Sequence, residues 1–222
     1  MVAFIDRMMG QIAGQEIAVL GERETGKTHL QHFLHTRKIP PQYTQTFGMQ
    51  KIQPGVARLI VIDGASGQQQ KTVLRLSRTY DVPGSAEAIE SWKAVVERAA
   101  ILLYLFRADY VFHKDQAHLK RVREDADALA RILRGSPRRL KGAALVGTHY
   151  DCVPGFQGPN EGTVFYEWHQ MIAKNNTIIR ARQVLAAQLP ATPALVVGAM
   201  KTLPQTQELL YRLFAQELKI GK

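Results

Sequence analysis

The sequence predicts an α/β protein built on a six-stranded, mostly parallel sheet with helices on both faces. Two observations carry this expectation. Short apolar runs such as Ile17-Ala-Val-Leu20, Ile101 to Phe106, Ala143 to Gly147 and Leu195-Val-Val197 alternate with longer stretches whose apolar residues recur at helical spacing; alternation of this kind is the mark of strand–helix units. The first run leads directly into Gly21-Glu22-Arg23-Glu24-Thr25-Gly26-Lys27-Thr28, a G-x-x-x-x-G-K-T stretch followed by Leu30, Phe33 and Leu34 on one helical face.

Each residue type in that stretch has a chemical reason to be there. A loop that wraps a polyphosphate brings consecutive backbone N–H groups, here those of Glu24, Thr25 and Gly26, close to the oxygens. Side chains at Gly21 and Gly26 would obstruct that approach. The helix behind the loop directs the positive end of its dipole at the same anion, and Lys27 supplies a mobile cation. Thr28 would offer its hydroxyl to Mg²⁺. Nucleotide binding is therefore the starting expectation.

Composition narrows the class. The 222 residues, 45% apolar and 22% charged, suit one globular domain with a sizeable core. Cys152 is the single cysteine, so an internal disulfide is excluded and a reducing, cytoplasmic setting is expected. No stretch approaches the roughly 20 apolar residues of a spanning helix. The net charge of +10 points to an anionic ligand or partner, with the densest basic patch at Arg131, Arg134, Arg138, Arg139 and Lys141.

In chain order, the helical spacing of Val2, Ile5, Met8, Met9 and Ile12 predicts an N-terminal amphipathic helix over residues 1–14, ahead of a main domain over 15–222. This helix would pack on the domain, on a partner or on a membrane surface; its few charges favour packing. Arg37 to Thr46 reads as an exposed loop, in which Thr44 and Thr46 carry hydroxyls able to reach Mg²⁺ or a γ-phosphate. Strands follow at Gly48 to Gln53, Arg58 to Asp63 and Thr72 to Tyr80, with an extra loop or hairpin around Gln53 to Lys71. Asp63 and Asp81 compete as the metal-side carboxylate. Asp81 is preferred, because Gly84 three residues on can offer its N–H to a γ-phosphate.

A helix is expected from Ser85 to Ala100, another from Gln116 to Arg134, a helical region from Phe165 to Leu189, and a closing helix from Gln205 to Leu218. The strand at Ala143 to Gly147 runs into Thr148-His149-Tyr150-Asp151. A carboxylate at the carboxyl end of such a strand can accept two hydrogen bonds from the ring N–H and exocyclic amine of guanine, a pattern adenine does not offer. Gly198, Ala199 and Met200 follow the last strand, where small residues would let the backbone approach a base.

In this order, the five stretches resemble the guanine-nucleotide motifs of the Ras-like small GTPases over nearly the whole chain, which implies a Ras-like P-loop fold. The resemblance implies a phosphate loop at Gly21 to Thr28, a first-switch threonine at Thr46 and a D-x-x-G motif at Asp81 to Gly84. It also implies a base motif at Thr148 to Asp151 and an S-A-K-like segment at Gly198-Ala199-Met200. Mg²⁺ would be held by Thr28, Thr46 and Asp81. Three departures bear on function. His149 stands where the family has lysine, as in the T-H-x-D of Roc-type domains. Arg23 occupies a position that is glycine in Ras itself, and Ser85 follows Gly84 where the family places the glutamine that orients water. The implied protein is a Mg²⁺·GTP/GDP switch with slow GTP hydrolysis, in which Thr46, Gly84 and Arg23 bear on catalysis and a protein effector or regulator responds. A nucleotide-binding module without turnover and an ATP-dependent phosphotransferase are the other readings. The sequence ends in Ile220-Gly221-Lys222 without a prenylation box.

Overall fold

The computed structural model describes residues 15–36, 38–39, 50–52, 55–62, 69–81, 89–135, 140–154 and 162–218. The expected N-terminal helix over 1–14 lies outside them. Strands β1 (Gln15–Gly21), β5 (Ile101–Arg107), β6 (Gly142–Thr148) and β7 (Ala194–Val197) form a four-stranded, all-parallel sheet in the order β1-β5-β6-β7. On the other edge of β1 lies β4 (Gln69–Asp81), also parallel. Strands β2 (Gln50–Ile52) and β3 (Gly55–Ile62) pair antiparallel with successive stretches of β4.

Among the described residues the sheet therefore has seven strands, not the expected six. The reason lies in the length of β4. Only its last part, Leu76 to Asp81, pairs with β1, so the backbone groups of its first half need another partner. Strand β3, expected over Arg58 to Asp63 within an extra loop or hairpin around Gln53 to Lys71, supplies it from Gly55 to Ile62.

The apolar runs are continuous because the parallel strands are covered on both faces. Ile17, Val19, Ile101, Leu103 and Leu105 point to one side, where they meet Leu30, Phe33 and Leu34 of α1 (Lys27–Thr36) and Leu209, Leu210, Leu213 and Phe214 of the C-terminal helix. Ala18, Leu20, Leu102, Tyr104 and Phe106 point to the other. They meet α2 (Ile89–Val96) through Trp92 and Val95, α4 (Gln116–Gly135) through Val122 and Leu129, and α6 (Asn176–Ala186) through Ile178 and Leu185. At about 1.5–3 kcal/mol for each large side chain buried, these two cores account for the sheet's position at the centre.

Local chemistry sets the helix ends. Asp115 Oδ1 accepts the His118 N–H at 2.8 Å in the first turn of α4. Helix α7 (Leu203–Tyr211) starts with a reciprocal capping box between Thr202 and Gln205, and passes into a π-helical stretch, Arg212–Glu217. The single helical region expected from Phe165 to Leu189 is two helices, α5 (Gly162–Ala173) and α6, because the Asn175 side chain caps α6 by accepting the Thr177 N–H at 2.9 Å. A short helix that periodicity did not reveal, α3 (Ala108–Phe112), follows β5 immediately. No helix among the described residues is long and apolar enough to cross a membrane.

Candidate functional site

Strand β1 ends at Gly21, which lies so close to β5 that an added Cβ would stand 2.1 Å from the Leu105 carbonyl oxygen; its φ of 141° also favours glycine. Gly26, at φ 83°, abuts the terminal methyl of Met200, 2.6 Å from where a Cβ would be. Between them the chain makes a tight turn with Glu24 in the left-handed region at φ 60°. Thr25 is fully buried, and its hydroxyl donates to the Glu22 carbonyl at 2.9 Å. Lys27 is also buried, with Nζ donating to the same carbonyl at 2.6 Å. Its ammonium is thus folded back over the loop instead of extending into solvent. Thr28 is half-buried in the first turn of α1, and Arg23 is exposed.

The expected base-side residues converge on the same end of the sheet. In register, Gly21 stands beside Leu105, Phe106 beside Gly147, and Gly147 beside Val197, so the loops after β1, β6 and β7 emerge together. Fully buried Thr148, at the end of β6, links the loop after β1 to β5, its hydroxyl lying 3.0 Å from the Thr25 carbonyl oxygen and 3.1 Å from that of Phe106. The single hydroxyl proton serves these two carbonyls, while His149 Nδ1 lies 2.9 Å away. His149 adopts the left-handed conformation at φ 57°. Burial, and then the nearby Arg107 charge, hold its imidazole below the usual histidine range and hence neutral at pH 7.

Asp151 lies in the 3₁₀ turn Tyr150–Cys152, half-buried, and its carboxylate has no hydrogen bond or ion pair with a described residue. Gly198 donates to the Gly147 carbonyl at 2.8 Å and accepts the Tyr150 N–H at 3.3 Å, tying the exit of β7 to that of β6. Ala199 and Met200 are buried beside them. His29, on α1, has a buried Nε2 without a hydrogen-bond partner; burial, then His32 and His149, lower its pKa.

Sequence reasoning missed a second layer under the loop. Arg107, the last residue of β5, grips Asp109 with Nε at 3.1 Å and Nη2 at 2.6 Å, and its guanidinium lies 4.0 Å above the Tyr110 ring. Its Nη1 reaches Glu24 Oε2 at 4.0 Å. The Arg107 backbone N–H donates to His118 Nε2 at 3.2 Å, and His118 Nδ1 meets Glu22 Oε2 at 2.6 Å. Because Nε2 is an acceptor, this pattern assigns the proton to Nδ1, which donates to the Glu22 carboxylate. Deeper still, Asp125 accepts the Tyr104 hydroxyl at 2.9 Å and pairs with Arg121 at 2.7 Å. Burial outweighs both partners and pushes Asp125 up to about 6. The sequence did hold one signal: two glutamates in a loop expected to hold anions need compensating groups from elsewhere.

Of the remaining expected residues, Thr46, Gly84, Ser85 and Asp63 lie outside the described residues. Asp81 ends β4 with its backbone paired to Val19, two residues before the loop begins. Its carboxylate and the Thr28 hydroxyl are hard oxygen donors of the kind Mg²⁺ takes. Among the described residues no cluster of three or more histidine, cysteine or acidic side chains is arranged to hold a metal. Arg131, Arg134 and Lys141 of the basic patch are exposed, and 136–139 lie outside the described residues. The chain matches no protein-family model, and no curated protein is similar to it.

Proposed function

We propose that the protein is a guanine-nucleotide-binding switch with a Ras-like P-loop fold, which binds Mg²⁺·GTP and GDP and hydrolyses GTP slowly. The observation that carries the reading is the Thr148 hydroxyl bridging to the Thr25 carbonyl. It joins the G-x-x-x-x-G-K-T loop to the T-H-x-D segment, two motifs far apart in sequence that a nucleotide would have to touch together. Support also comes from the glycine backbone of the loop, the buried Lys27 folded over it and the half-buried Asp151 in the turn after β6.

On this reading the loop amides and Lys27 bind the phosphates, and Lys27 exchanges its contact with the Glu22 carbonyl for phosphate oxygens. Thr28, Thr46 and Asp81 would hold Mg²⁺, which neutralises charge on the β- and γ-phosphates. Asp151 accepts the guanine N–H groups, the neutral His149 ring lies over the base, and Gly198 to Met200 close its far side. The Thr46 and Gly84 segments respond to the γ-phosphate, and a protein effector or regulator reads their state. Arg23, exposed at the loop, would bear on hydrolysis.

A second reading, a nucleotide-binding module without turnover, is favoured by the exposed Arg23 and by Ser85 in place of the expected glutamine. Titration with fluorescent GTP, GDP and ATP in Mg²⁺, followed by phosphate release from the GTP-loaded protein, separates the possibilities. Guanine-selective binding with slow release supports the switch, and selective binding without release supports the module. Asp151→Asn is expected to move preference from guanosine to xanthosine nucleotides. Equal binding of ATP, or an unchanged preference for GTP in that variant, overturns the assignment.

A further inference from the structure

Resting on the nucleotide reading, we infer that His118 and Arg107 are positioning residues that hold the two carboxylates of the Gly21–Thr28 loop out of its anion-binding face. A loop that receives a polyphosphate gains from positive charge, yet this one contains Glu22 and Glu24 beside Arg23 and Lys27. Left free, either carboxylate could swing towards the phosphates and oppose them. At an effective dielectric of about 40 and a separation of about 6 Å, one such charge costs about ten-fold in affinity.

Both carboxylates are instead engaged from outside the loop. Glu22 Oε2 is held at 2.6 Å by His118 Nδ1, on a ring only 2% exposed at the start of α4. That ring is itself fixed on its far side, because Nε2 accepts the Arg107 backbone N–H. Burial and two hydrogen bonds leave the imidazole one orientation, and that orientation sets where the carboxylate sits. The same Arg107 turns its guanidinium towards Glu24, whose carboxylate it meets at 4.0 Å. Asp109 and the Tyr110 ring hold the guanidinium in place. One residue at the exit of β5 thus anchors both acidic side chains, through its backbone for Glu22 and its side chain for Glu24. With the acids held aside, Lys27 and the loop amides set the sign of the field at the loop.

The two halves differ in strength. The Glu22–His118 contact is short and largely buried, whereas Glu24 is 62% exposed and its pairing with Arg107 is long. Hence the first effect should be the larger, and the second should fade with added salt.

A double-mutant cycle on fluorescent GDP affinity tests the inference with the full chain. Wild type is measured first; failure to bind GDP would overturn the nucleotide reading and this inference together. Given binding, His118→Gln is expected to weaken GDP about ten-fold, and in the Glu22→Gln background the same change should cost less than about two-fold. An equal penalty in both backgrounds, or no penalty in either, overturns the positioning role while leaving the nucleotide reading intact. Should His118→Gln fail to fold, the cycle of Arg107→Gln with Glu24→Gln decides the matter. A penalty of a few-fold that disappears with Glu24 and shrinks in high salt supports the inference, and a penalty independent of Glu24 overturns it.

Discussion

Asp125 gives the fold a pH dependence of a definite sign. Its carboxyl, 1% exposed, is pushed from 3.8 up to about 6 by burial, against the opposing pull of Arg121 and the Tyr104 hydroxyl. The native state therefore holds a proton that the unfolded chain has already released, and stability from this group is lost as pH rises through the native pKa. A shift of about 2 units corresponds to about 3 kcal/mol, of which about 2 kcal/mol lies between about pH 4.5 and pH 7.5. His29, His35, His149 and His169 act in the opposite direction. Their pKa values are lowered, chiefly by burial, so their contribution is present above the unfolded histidine pKa and fades as pH falls. The two effects overlap, and the difference between wild type and Asp125→Asn isolates the first. Asparagine keeps an acceptor for the Tyr104 hydroxyl but has no charge to titrate. Urea unfolding of both proteins across this range should show wild type losing about 2 kcal/mol relative to the variant as pH rises. Parallel stability curves, or a difference that grows in the opposite direction, would refute burial as the dominant influence on Asp125.

Three further substitutions probe the loop. Thr148→Val keeps the shape but leaves the Thr25 and Phe106 carbonyls without their shared donor. It should cost about 1–3 kcal/mol of stability and weaken nucleotide binding, as read by urea unfolding and fluorescent GDP titration; an unchanged midpoint would mean water replaces the hydroxyl. Gly21→Ala places a Cβ against the Leu105 carbonyl and forces alanine to an unfavourable φ, so a loss of at least about 2 kcal/mol is expected. Near wild-type thermal stability would show that the strand–loop junction relaxes. Lys27→Met removes an ammonium while retaining most of the stem, and GDP affinity should fall about 10- to 100-fold with little change in unfolding midpoint. If stability falls as far as affinity, the lysine acts mainly through its contact with Glu22.

The parts of the molecule that were legible in the sequence are those whose signals are local. Ile17-Ala-Val-Leu20, the run at Ile101 and the run at Ala143 are apolar without alternation because both faces of the parallel sheet are covered, and such runs read directly as strands. The loops after them inherit their positions from those strands, which is why Thr148, Asp151 and Gly198 emerge at the same end of the sheet as Gly21. The sheet's edge was harder to read, since the number of strands there depends on what the long β4 pairs with, a long-range choice that no single segment records. The break between α5 and α6 is locally marked by Lys174-Asn175-Asn176, but apolar periodicity on either side hides the Asn175 cap that makes it. The loop's electrostatics were the least legible. A G-x-x-x-x-G-K-T pattern leaves its intervening positions open, and Glu22 and Glu24 at those positions argue against an anion. Their answer lies 96 residues from Glu22, at His118, and at the last residue of a strand whose apolar run seemed to end one position earlier. On the proposed nucleotide reading, motif spacing marks the loop, whereas its charge balance is set by which side chains the fold brings up behind it. On that reading, the loop tolerates its acidic residues because His118 and Arg107 engage them, and exchanging either should disturb ligand binding without altering a single motif position.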